Sequence, residues 1–248
     1  MNAIYVLWLR QMKRFLRSRS RIVGSLGQPI LYLVALGFGF GPVFQRAGQG
    51  NYLQFIAPGV VGMTVLFSGI FSGIELIWDR QFGFLKEVLV APVPRFAIMV
   101  GRTLGGATVS MIQGALVVAI CLVMGFRPAS LATVPYALVF MALIAVAFTA
   151  MGTAIASVLS DFQGFQFVMG FVVMPMFFLS GSIYPLTFAP KALRVVAIFD
   201  PLSYGIDGMR TALTGVSQYG GAVDLAVLSG VTAALLALGS WLFSRIQL

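Results

Sequence analysis

Residues 177–210 read FFLSGSIYPLTFAPKALRVVAIFDPLSYGIDGMR, a stretch too apolar for an aqueous loop and too interrupted for a membrane span. Pro185, Pro190 and Pro201 each remove a backbone donor and disfavour helix in the residue before them, so no unbroken run of about 20 residues fits here. Two short helices are predicted instead. The first starts at Pro190, suited to a first helical position, and runs to about Phe199. Asp200 followed by Pro201 is a cap-and-start signal for the second, through Tyr204 to Leu213. A helix of about ten residues covers roughly 15 Å, half of a hydrocarbon core of about 30 Å. Such pieces dip into a membrane and return, or lie on it. Residues 183–214 therefore read as a re-entrant segment rather than a crossing.

The surroundings are those of an all-α membrane protein. Of the 248 residues, 59% are hydrophobic and 9% charged, with a mean hydropathy of +0.98; a water-soluble domain needs far more surface charge. Six stretches are long enough to cross, at about 22–44, 55–77, 98–124, 134–159, 165–182 and 223–243. The absence of histidine removes His-dependent serine chemistry and most zinc hydrolases, so no catalytic and no metal residue is assigned. The single cysteine, Cys121, lies in an apolar run and reads as an inert buried thiol. Gln113 is the strongly polar side chain near mid-depth, whereas Glu75, Arg102 and Asp224 lie near span edges. A proton- or sodium-driven carrier, or a channel, needs more polar machinery inside its spans.

Residues 1–21 are amphipathic. At 100° per residue Arg10, Lys13, Arg14 and Arg17 fall on one face, and Ile4, Tyr5, Trp8, Met12, Phe15 and Leu16 on the other. This predicts a helix lying in the membrane interface with its basic face toward anionic lipid headgroups. Its basic part is too long for a cleaved signal peptide, and the following apolar run lacks a clear small-residue cleavage site. The N-terminal region, residues 78–102 and Arg245 hold eleven of the sixteen Lys and Arg residues. The remaining five are Arg46, Arg127, Lys191, Arg194 and Arg210. Both termini are accordingly expected in the cytoplasm, in a multi-pass protein of the cytoplasmic membrane, with the broken stretch outside. Basic residues beside spans answer to lipid and topology, so nucleic acid is not expected as a partner.

Between the second and third spans, residues 79–95 read DRQFGFLKEVLVAPVPR. Pro92 and Pro94 stop any helix begun upstream, leaving about Arg80 to Val90 as a short amphipathic element. Phe82, Phe84 and Leu85 offer apolar anchors to a partner, and Arg80, Lys86 and Glu87 offer charged contacts. Small residues recur at helical spacing, as Ser68, Gly69, Ser72 and Gly73 in the second span and Gly101, Gly105 and Gly106 in the third. They suit close packing within the protomer or, alternatively, a dimer seam. Pro175, with Met174, Met176, Phe177 and Phe178 around it, should kink the fifth span.

Two groups of residues resemble a known family. Ser180-Gly181, Tyr184-Pro185, Pro190, Pro201-Leu202-Ser203-Tyr204 and Arg210 follow in register the pattern of type-2 ABC transporter permeases, the group with drug-resistance, nodulation-factor and polysaccharide exporters. Glu87, Leu89, Ala91, Pro92 and Val93 match that family's coupling helix, with Val88 where leucine is more usual. The resemblance covers essentially the whole chain. It implies that residues 79–95 rest on a separate ATP-hydrolysing subunit, present in two copies, which binds ATP and Mg. It implies also a second permease copy or close paralogue, and a re-entrant segment forming an outer gate. No GxxxxGK[ST] phosphate loop occurs, so this chain alone should hydrolyse no ATP. A hydrophobic or amphipathic cargo (drug, lipid or lipid-linked glycan) is the expected substrate. A secondary carrier, a channel and a non-transporting membrane scaffold are the alternatives.

Overall fold

A computed structural model describes residues 3–48, 50–90, 92–159 and 161–245. The side chains of Lys86 and Leu89, and the whole of Ala91, lie outside the described residues. The described chain is helical, without strands. Its helices are α1 (Ala3–Arg17), α2 (Arg19–Arg46), α3 (Tyr52–Phe71), α4 (Ile74–Gln81), α5 (Phe84–Val90), α6 (Arg95–Val123) and α7 (Val134–Val158). They are followed by α8 (Phe162–Val168), a π turn over Met169–Val173, α9 (Met174–Leu179), α10 (Lys191–Ile198), α11 (Pro201–Thr214) and α12 (Gly221–Ser244). Six segments are long and apolar enough to cross a membrane: α2, α3 with α4, α6, α7, α8 through α9, and α12. The expected count of six is matched. The second segment runs four residues further than its hydropathy suggested, to Gln81, because Glu75 and Asp79 on its last turns are buried among arginines.

Helix α7 is the centre, packed against α3, α6, α11 and α12. Phe140, Ile144, Ala145, Ala147 and Phe148 on it are fully buried. Lipid tails are as apolar as these side chains, so close backbone approach and internal polar contacts, more than expulsion of apolar surface, hold such helices together. The glycines pack within the protomer. A Cβ on Gly73 would run into the carbonyl oxygen of Gly152, so the α3–α4 junction crosses α7 backbone to backbone. Gly106 takes Ser72 of the same junction, and Gly69 takes Thr149.

The fifth crossing bends where Pro175 lacks the N–H that would bond to residue 171. The turn before it widens, and the Met174 N–H reaches the Met169 carbonyl. Residues 180–189 then turn back. Ser180 and Ser182 hydroxyls both donate to the free Phe177 carbonyl at the end of α9. Helix α10 has Pro190 at its cap and runs to Ile198; α11 begins as predicted, with the Asp200 carboxylate accepting the Leu202 N–H at 2.9 Å. Residues 202–210 of α11 are all buried. Gly62, Gly205 and Gly208 seat it against α3 and α7: added Cβ atoms there would meet Ile206, Ile144 and the Phe140 ring. Helix α11 is thus part of the bundle's core, and α10 lies on its surface, with Val195, Ile198 and the following Phe199 exposed.

Candidate functional site

At the α1 end of the bundle, five elements meet in one charged joint. Helix α1 lies against the bundle. It packs on α6, because Gly101 and Gly105 leave room for its backbone. A Cβ on Gly101 would come within 3.1 Å of the Ile4 Cα, and one on Gly105 within 2.8 Å of the Gln11 Cβ. The Trp8 indole N–H donates to the Thr108 hydroxyl at 3.0 Å, and Phe15 is buried while Tyr5 and Leu16 remain exposed.

This seating turns half of the basic face inward. Arg10 donates to both oxygens of Asp79, at 2.8 and 3.1 Å, and Arg102 of α6 donates to the same carboxylate. Arg14 (3.2 Å) and Arg21 of α2 both donate to Glu75. Arg10 and Arg14 lie one helical turn apart on α1, as do Glu75 and Asp79 on α4, so the two pairs are in register. Glu75 and Asp79 are 3% and 4% exposed, buried enough that loss of a partner would strand a charge. Lys13 and Arg17 stay exposed.

The short helix beside the joint begins at Phe84, since Gly83 at φ +79° breaks the element that the charge pattern ran continuously from Arg80. The Arg10 guanidinium lies 3.8 Å from the centroid of the Phe84 ring. Leu85 is fully buried in the chain's own core, so it turns away from the surface on which the sequence placed it. Arg80 is likewise engaged within the chain, donating to the Ser157 (3.3 Å) and Leu159 (3.4 Å) carbonyls where α7 ends. The outward surface is made by Phe82 (83% exposed), Glu87, Val90 (79% exposed) and Pro92, with Val88 half-buried. Lys86 and Leu89 contribute backbone to α5; their side chains are among the undescribed.

At the opposite end, Arg210 of α11 reaches both the turn at Gly181 and α3. The Arg210 guanidinium is 6% exposed, donates to the Gly181 carbonyl at 3.0 Å and stacks 4.1 Å over the Phe55 ring. Burial pulls its pKa down to about 10, partly offset by nearby Asp207. The Tyr204 hydroxyl donates to the Ile198 carbonyl at 2.9 Å, tying α11 to α10. Leu202 is fully buried, Leu186 packs beneath Gly181, and Tyr184 and Pro185 are half-buried. Burial lifts the Asp200 carboxyl to about 7. Sequence reading missed Asp207, whose carboxylate accepts the Gln218 and Tyr219 N–H groups and fixes the turn into α12. It also missed the acidic half of the charged joint. The available signal was the matching four-residue spacing of Glu75/Asp79 and Arg10/Arg14.

The bundle has six segments long and apolar enough to cross a membrane, a charged joint at one end and the short helices α10 and α11 at the other, and comparison with known proteins assigns it to a class of membrane transport subunit. The profile described as ABC-2 type transporter matches residues 2–214, and the chain belongs to that family. It is 31% identical to a putative transport permease (ycf38) of Porphyra purpurea over 78% of this chain and 68% of that one. It is 26% identical to Nodulation protein J of Rhizobium leguminosarum bv. trifolii over 90% and 85% of the two chains. It is 28% identical to the inner membrane transport permease YadH of Escherichia coli K12 over 87% and 84%.

Proposed function

We propose that this chain is the permease subunit of an ATP-driven exporter, working as a pair of permease chains with two copies of a separate ATPase that holds ATP and Mg. The basic end faces the cytoplasm, with both termini, and the re-entrant helices face outward, in keeping with the eleven basic residues at the first end. The observation that carries the reading is the bridge made by Arg10. It holds Asp79 of α4 and the Phe84 ring of α5 at once, so displacement of α5 by a partner is passed to α1, α4 and α6. Phe82, Glu87 and Val90 are the outward groups that a partner groove would meet. A cavity of about 360 Å³ between α2, α3 and α6, with Arg21 at one side and Gln28, Thr64, Ser68 and Gln113 among apolar side chains such as Met63 and Phe67, supports an amphipathic cargo such as a drug, lipid or lipid-linked glycan.

Co-expression with a candidate phosphate-loop ATPase subunit tests the reading. Glu87→Arg should abolish co-purification or substrate-stimulated ATP turnover without lowering thermal stability, since a reversed charge at a docking surface costs several kcal/mol and Glu87 is exposed. Leu85→Ala should instead act on the fold, costing about 2–5 kcal/mol. Undiminished docking and turnover in Glu87→Arg would move coupling elsewhere.

A further inference from the structure

A cavity of about 450 Å³ opens at the re-entrant end between the start of α3, the α6–α7 connection and α11. Asn51, Gln54, Thr187 and Gln218 give it polar walls, Phe44 and Phe55 an apolar side, and Arg127 and Arg210 two guanidiniums. Arg210 is only 6% exposed, yet its Nε has no hydrogen-bond partner. Its other contacts are a neutral carbonyl and a ring face. A desolvated cation with an incomplete set of acceptors is costly unless an anion completes it.

Asp207 in this wall offsets part of the charge from nearby but makes no hydrogen bond to Arg210. Both Asp207 oxygens are engaged by the backbone N–H groups of Gln218 and Tyr219. Arg127 is held in place from behind. Its Nη1 donates to the Leu122 (2.8 Å) and Phe126 (3.1 Å) carbonyls, and the Gln54 amide, oriented to satisfy both bonds, pairs with the Arg127 backbone at 3.0 Å. The guanidinium is exposed at the rim, and the buried one forms the floor.

We infer that this cavity is an anion-binding site, in which Arg210 and Arg127 take a phosphate or carboxylate group while Phe44 and Phe55 contact the apolar part that bears it. Planar guanidiniums match such oxyanions with paired donors. Only the assignment of this face to the outside rests on the proposed topology. The anion can come from a lipid headgroup or from a soluble molecule, and the two sources are separable.

The test uses the full chain in nanodiscs of phosphate-free digalactosyldiacylglycerol, with a trifluoromethyl label on Thr187→Cys in a Cys121→Ala background, read by fluorine NMR. Addition of inorganic phosphate or glycerol phosphate should shift the label saturably if the source is soluble. A shift only when phosphatidylglycerol is included in the disc assigns a lipid headgroup. In either case Arg127→Gln should weaken the response about tenfold, Arg210→Gln should remove it, and Arg210→Lys should retain part of it. Lys13→Gln, at the other end, should leave it unchanged. No saturable shift with any of these anions, or a shift in Arg127→Gln and Arg210→Gln equal to that of the parent protein, overturns the site. Because the assay needs neither ATPase nor transport, its failure leaves the coupling proposal standing, and undisturbed docking in Glu87→Arg would leave this one standing.

Discussion

Arg10 and Phe84 are in face-on contact, guanidinium carbon to ring centroid 3.8 Å, although they lie 74 residues apart in sequence. The same guanidinium is bidentate on Asp79. An exposed short helix is therefore connected to the buried joint through one side chain that both parts share.

That sharing separates two kinds of damage. Asp79→Ala leaves Arg102, 8% exposed, without its carboxylate and should destabilise the chain by about 3–5 kcal/mol, read as a shifted midpoint in detergent unfolding. Arg10→Ala leaves the Arg102–Asp79 pair intact and removes a partly exposed partner, so it should cost about 1 kcal/mol or less. It should nevertheless uncouple: the ATPase still co-purifies, but substrate no longer stimulates turnover. Arg10→Lys should restore this only in part, since an ammonium cannot make the paired contact.

The crossing of the α3–α4 junction with α7 predicts a sharp contrast among glycines. Gly73→Ala puts a methyl group into the Gly152 carbonyl, which is backbone and cannot step aside, and should cost about 1–3 kcal/mol. Gly230→Ala on α12 meets nothing within 4 Å and should be neutral or stabilising by up to about 1 kcal/mol. Equal thermal shifts for the two would contradict the crossing.

Asp200 gives a pH dependence with a definite sign. Its folded carboxyl sits at about 7 against an ordinary 3.8, so the folded state holds a proton that the unfolded chain releases. This contribution is present at acid pH and is lost as pH rises through the window from about 4 to about 7. Asp200→Asn keeps the acceptor for the Leu202 N–H and removes the titration. Melting temperatures of the two proteins should be close near about pH 4, with the Asn variant higher near about pH 8.

Hydropathy and proline placement made much of this architecture legible. The crossings, the start of α11 at Asp200-Pro201 and the break before Pro175 all follow from local rules about length, capping and missing donors. The charged joint did not, because nothing local marks Glu75 and Asp79 as partners of Arg10 and Arg14 until Gly101 and Gly105 bring α1 onto α6. Leu85 shows the same limit from the other side. Its neighbours made it look like an outward anchor, and only the break at Gly83 turns it into the core.

The joint is also a vernier. Arginines on α1, acids on α4 and glycine notches on α6 all recur every four residues, so a displacement of α1 by one turn, about 5.4 Å, would leave many of them matched. Arg14 already stands 3.9 Å from Asp79, the carboxylate it would inherit. What singles out the observed register is the aperiodic part, the Trp8–Thr108 hydrogen bond and the buried Phe15 ring. The charges set the spacing of the possible stops, and two uncharged side chains choose among them.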